Sequence, residues 1–130
     1  MIEEIDKTYN NVINDIKQDI KSTQYKVAVQ SNISLISMYF RLGKILNDNY
    51  KYGNKFIDEV SKDLKIEFPN STGFSVRNLK YMKKFYLEYK DDELVQQLVA
   101  QVPWGHNIVL MEKIKDKEIR KIYAEAILKR

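Results

Sequence analysis

The chain contains no cysteine, which excludes disulfides and thiolate metal sites and fits a reducing cytoplasm. Histidine occurs once, at position 106, and no serine stands in an activating context, so there is little from which to build an acid–base or nucleophilic centre. Glycine is sparse, four in all, and no glycine-rich loop exists; Gly53 and Gly73 are expected to permit tight turns rather than to cradle a phosphate. Long apolar runs are also missing. The longest, "ISLISMYF" at 33 to 40, is broken by serines and falls far short of a membrane span. The opening "MIEEIDK" is acidic and lacks the basic stretch and apolar run of a secretory signal. A soluble cytoplasmic protein without membrane contact is therefore expected.

What is present is helical periodicity. The 130 residues, 44% apolar, suit a single domain with a continuous core. Ile2, Ile5, Tyr9, Val12, Ile13, Ile16 and Ile20 recur at three- and four-residue steps, predicting an amphipathic helix over 2 to 22. Much of that stripe also fits a heptad seam, interrupted at Asp19, so packing on the next helix and homodimerisation are both open. A second helix is expected over 25 to 49, joined to the first through "KSTQ" as an antiparallel hairpin. A third is expected over 55 to 66 with Asn54 as N-cap, then a "PNSTG" loop, and a fourth over 76 to 89 with Ser75 as N-cap and a Phe74–Leu79 staple. Shorter helices follow at 92 to 102, 105 to 113 and 117 to 129. No segment alternates with period two and no repeat is visible. The expected fold is all-α, a single domain of six or seven helices, with residues 1 to 50 as the hairpin and a helix-turn-helix-like pair in 51 to 130.

Charge comes in blocks although the net value is only +4. Residues 74 to 90 carry Arg77, Lys80, Lys83, Lys84 and Lys90 against Glu88. Residues 91 to 112 hold four acids and no lysine or arginine, and the last 18 are basic again. On a helical wheel Leu79, Met82, Phe85, Tyr86 and Tyr89 gather on one side of the fourth helix, while Arg77, Lys80, Tyr81 and Lys84 gather on the other. Spaced cations on one helix face can neutralise several phosphates, and arginine can fork onto a guanine edge, so these four are the candidate DNA-contacting residues. A solvated lysine-rich face is the plain alternative. As a helix-turn-helix the pair has an unusually long link of about nine residues.

A second cluster is Trp104, His106 and Asn107. Its expected role is structural: the tryptophan anchors a corner between helices, and His106 or Asn107 caps the free N–H groups of the helix that follows. Contact with a partner is the other reading. Of the seven basic residues from Lys113 onward, six point outward on most wheels.

Several motifs resemble a known family. Tyr39, Phe40, Arg41, Leu42 and Gly43 correspond to a "YW-x-IG" helix end, with Phe40 where tryptophan is usual. Lys51, Tyr52 and Gly53 resemble a "G-[WY]-G" turn whose first glycine is missing, and Val60 to Leu64 resemble "L-S-x-D-L". Gly73, Phe74, Ser75, Arg77, Asn78, Leu79 and Met82 match "G-F-S-x-R-N-L-x-x-M", and Pro103 to Asn107 match "PW-[SG]-H-N". From about residue 30 onward the chain resembles the N-terminal helical domain of the YhcG-like nucleases, bacterial proteins of the PD-(D/E)XK superfamily. The resemblance implies a partner nuclease domain of the same protein, absent from this sequence, in which an Asp and a Glu/Asp-x-Lys pair hold a divalent ion that activates water. This chain is then expected to bind DNA without being an enzyme and to need no cofactor, either as part of a longer protein or as a stand-alone version. A formal match, Asp58 or Asp63 with Glu88-Tyr89-Lys90, is set aside because these residues fall on predicted helices. The alternative is a protein-interaction or dimerisation module without direct DNA contact.

Overall fold

The computed structural model describes residues 2–26, 31–53 and 55–129. Among them are seven α-helices and no strand: α1 (Ile2–Lys26), α2 (Asn32–Asp48), α3 (Phe56–Glu67), α4 (Val76–Tyr89), α5 (Glu93–Val99), α6 (Trp104–Lys113) and α7 (Lys117–Leu128). The all-α expectation holds, with a 3-10 turn at Tyr50–Tyr52 before α3.

Local chemistry sets most helix starts. Ser31 and Ser75 accept from the backbone N–H of Ser34 (3.2 Å) and Asn78 (3.1 Å), Asp92 accepts from Val95 (3.1 Å), and Asp116 accepts from Glu118 (2.9 Å) and Ile119 (3.2 Å). Two boundaries differ from expectation. The "KSTQ" stretch continues α1 rather than turning, because Thr23 is buried and bonded to Asp19 (3.2 Å), so α2 begins only at its Ser31 cap. Asn54 lies outside the described residues, and the residue flanking α3 is Lys55, which makes no side-chain cap.

The hairpin of α1 and α2 is antiparallel. Tyr9 packs edge-on to Tyr52 and Phe56 at 6.1 Å, while further along α1 the Asp19 carboxylate takes a forked pair of bonds from Arg41 of α2, both 2.8 Å. Asp19 therefore does not break the seam idly: it locks α1 to α2 within the chain. Ile13, Ile16 and Ile20 are buried in the same core.

The central element is α4, which packs most extensively on α2 and also on α3 and α5. Closeness is set by Gly43 of α2, where a Cβ would overlap the Met82 carbonyl oxygen and lie 2.7 Å from its carbon. A helix meets another backbone at this distance only through glycine. Leu79, Met82, Phe85 and Tyr89 are buried as expected, whereas Tyr86 is only half-buried, edge-on to Phe40 at 5.1 Å. The α3–α4 link spans residues 68 to 75 and is tied down by the buried Ser61 hydroxyl, which donates to the Phe74 carbonyl at 2.7 Å. Thus α3 and α4 are a consecutive, contacting pair, but α2 rather than α3 is the main support of α4.

The remaining helices close the far end. Among the described residues of the basic tail, Arg120 of α7 is the one that faces inward, 2% exposed. It donates to the Ile114 carbonyl (2.9 Å) and to Glu88 of α4 (3.2 Å). At the start of α2, Asn32 donates to the carbonyls of Ala100 and Val102, both 3.2 Å, joining the hairpin to the α5–α6 corner.

Candidate nucleic-acid interface

The four residues singled out on α4 share one face. Arg77 and Lys80 are exposed, Tyr81 and Lys84 half-buried. The Arg77 guanidinium lies over the Tyr81 ring, 5.6 Å from its centroid, with Nη2 3.5 Å from the hydroxyl. A cation over an aromatic face is held electrostatically without losing its charge, so Arg77 stays available to an anion. Lys84 is less free: its Nζ is 3.5 Å from Glu112 of α6. Sequence reasoning missed Glu112, which stands 28 positions from Lys84 in the chain and meets it only because α6 folds back beside α4.

Two concavities flank this face. One, of about 430 Å³, is lined by Tyr39, Ser75, Arg77, Asn78, Tyr81 and Trp104 among others. The second, of about 560 Å³, is lined by Val76, Arg77, Lys80, Tyr81, Lys84 and Glu112. Arg77 and Tyr81 belong to both.

Beneath the first concavity runs a fixed polar chain. Asn78 donates to the Gly73 carbonyl (2.7 Å) and accepts from the Trp104 indole N–H (2.7 Å). Trp104 meets Tyr39 and Phe85 edge-on at 4.8 and 5.2 Å. Burial pushes the Tyr39 phenol above its ordinary pKa, opposed by its hydrogen bond with Asn78. Gly73 lies at a bend of the loop before α4, but not through a left-handed backbone. Its φ is ordinary, and what excludes a side chain there is the Tyr39 hydroxyl pressed against it, whereas Gly53 does have a positive φ of 88°.

Phe74 is core and lines neither concavity, whereas Ser75 lines the first one with its hydroxyl engaged as the N-cap of α4. Of the second cluster, Trp104 anchors the corner as expected. His106 is exposed and lines neither concavity. Asn107 is buried, but its side chain serves the preceding corner: its amide donates to the carbonyls of Val99 (2.9 Å), the last residue of α5, and of Val102 (3.0 Å) beyond it. The physical reason is position: Asn107 sits inside α6, and from there its amide reaches the Val99 and Val102 carbonyls of the α5–α6 corner.

Among the described residues no group of three or more His, Cys, Asp or Glu is placed to hold a metal ion. Asp58 and Asp63 lie on α3 and Glu88 near the end of α4, where Asp63 accepts from Tyr9 (2.8 Å) and Glu88 pairs with Arg120. No helix of the described residues is long and apolar enough to cross a membrane.

The fold and this face define an all-α domain with a basic, aromatic-lined helix surface. The family model described as the DUF1016 N-terminal domain matches residues 15–130, and the chain belongs to that family. The match reaches into α1, beyond the motifs that begin near residue 30. No curated protein and no solved structure matches the chain.

Proposed function

We propose that this chain is the DNA-positioning domain of a YhcG-like nuclease of the PD-(D/E)XK superfamily, acting in the bacterial cytoplasm and without catalysis of its own. The observation that carries this reading is the convergence of Arg77, Lys80 and Lys84 around Tyr81 on one face of α4. Cations so placed attract a phosphate backbone and displace its counterions. Cutting, with its divalent ion, belongs in this reading to the nuclease domain of the same protein. The test is fluorescence anisotropy of labelled DNA across a salt series. Binding should weaken steeply with salt and be lost in the folded triple variant Arg77→Glu/Lys80→Glu/Lys84→Glu; binding that the variant retains would sink the assignment.

A protein-interaction reading has one observation in its favour: Ile119, Ile122 and Tyr123 of α7 present an apolar strip, 46 to 64% exposed. Dimerisation through α1 draws less support, since Ile13, Ile16 and Ile20 serve the domain's own core and other residues would have to make the contact. Light scattering separates the two readings. Self-association that survives the triple charge reversal and disappears in Ile122→Asp would replace the DNA assignment with the interaction one.

A further inference from the structure

A helix that reads duplex DNA has to stand proud enough to enter a major groove about 12 Å wide. The α4 helix has much of its surface occupied by neighbouring helices. It is the central helix of the domain, packed on α2, α3 and α5, and its Lys84 is held from the α6 side by Glu112. Its basic face is bordered by two open concavities that share Arg77 and Tyr81, so aromatic surface lies beside the exposed cations.

The chemistry of those concavities suits a flat, weakly polar group carried on an anionic chain. Tyr81 contributes a half-buried ring shared by both, Trp104 and Tyr39 add aromatic surface to one, and Val76, Lys80 and Lys84 line the other. The exposed charges of Arg77 and Lys80 stand at the rim, where phosphates on either side of an inserted base would lie. Unpaired bases stack on aromatic rings and on guanidinium planes, and the gain is nearly independent of sequence. In closed duplex those base faces are already stacked.

We infer that the Arg77–Tyr81 wall is a stacking platform for unpaired nucleobases, so that this face selects single-stranded or locally opened DNA over closed duplex. The inference rests on the DNA-positioning reading and refines it.

The chain carries its own reporter, because Trp104 is its single tryptophan and lines the first concavity. The experiment titrates the domain with fluorescein-labelled dT15 and with a labelled 15-base-pair duplex, following anisotropy, and repeats the titration with unlabelled dT15 while following Trp104 emission. Expected are tenfold or greater preference for dT15, quenching of Trp104, full retention of binding in Tyr81→Phe, and about a tenfold loss in Tyr81→Leu, the scale of one stacked base. Equal or tighter binding of the duplex, or dT15 binding without quenching, overturns the platform while leaving the DNA-positioning reading standing. No binding of either probe at low salt overturns both. Where Tyr81→Leu fails to fold, the wild-type preference and the quenching decide.

Discussion

The indole N–H of Trp104 donates to the side-chain oxygen of Asn78 at 2.7 Å, and the same asparagine donates to the Gly73 carbonyl at 2.7 Å. One side chain thereby fastens the loop before α4 and the first residue of α6 to the helix that carries the basic face. Removing it takes a partner from the Trp104 N–H, the Gly73 carbonyl and the Tyr39 hydroxyl beside the core. Asn78→Ala should cost about 1–3 kcal/mol, the penalty of orphaned partners, read by urea unfolding followed through Trp104 emission. Asn78→Asp should cost a similar amount, since it keeps the acceptor for Trp104 but turns a second oxygen toward the Gly73 carbonyl. A neutral Asn78→Asp would show that the bond to Gly73 contributes nothing.

The glycines offer a controlled pair. Gly43→Ala forces a methyl into the Met82 carbonyl and should destabilise by about 1–3 kcal/mol or more, because the obstacle is backbone and cannot rotate away. Gly105→Ala on α6 meets nothing within 4 Å and should be neutral or stabilise by up to about 1 kcal/mol. Thermal melts of the two variants side by side test the close α2–α4 crossing; equal melting temperatures would refute it.

Arg120 is buried while its partner Glu88 keeps 26% of its side chain in solvent. Arg120→Met keeps much of the packing volume but strands Glu88 and the Ile114 carbonyl. The expected loss is about 2–3 kcal/mol, below the ~3–5 kcal/mol of a fully buried broken pair because Glu88 retains water. Glu88→Gln leaves an acceptor in place and should cost less. Denaturant unfolding of both variants gives the order; the reverse order would mean that the charge of Glu88, rather than the burial of Arg120, dominates.

Glu112 holds Lys84 at 3.5 Å and so removes one cation from the proposed DNA face. Glu112→Gln should strengthen DNA binding several-fold at low salt. It should also steepen the dependence of log affinity on log salt by about 0.7 for a single strand, one additional phosphate contact. Unchanged affinity and slope would place Lys84 outside the contact.

Alkaline pH should weaken the fold through its tyrosines. Tyr9 has its phenol pKa raised, first by burial and then by the hydrogen bond it donates to Asp63; burial raises Tyr39 and Tyr89 as well. The unfolded chain gives up these protons near the ordinary value of about 10. Their contribution is therefore whole below about pH 10 and declines as pH rises from there toward the raised native values. Urea midpoints between pH 8 and 11 should fall more for the wild type than for Tyr9→Phe, so that the gap between the two narrows. A constant gap would mean that Tyr9 titrates alike in both states.

Where the sequence carries local chemistry, it was readable. Ser75 announces α4 because a hydroxyl before a helical run bonds the third backbone N–H, and Leu79, Met82, Phe85 and Tyr89 announce its buried side through their spacing. The "KSTQ" stretch misled, since polar residues that resemble a turn stayed helical once Thr23 and Asp19 found Arg41 on α2. Asn107 misled in the same way: its position after "PW" suggests a cap for the helix it begins, but the carbonyls it reaches are Val99 at the end of α5 and Val102 in the turn that follows.

Sequence by itself determined the all-α fold, nearly every helix, and the cluster of Arg77, Lys80, Tyr81 and Lys84 on one face, because periodicity and capping act within a few residues. Tertiary structure alone decided that Gly43 brings α2 against the Met82 carbonyl, that Arg120 turns inward to Glu88, and that Glu112 shares the basic face with Lys84. Those pairs are separated by 28 to 39 positions in the chain, and only packing brings them within contact distance.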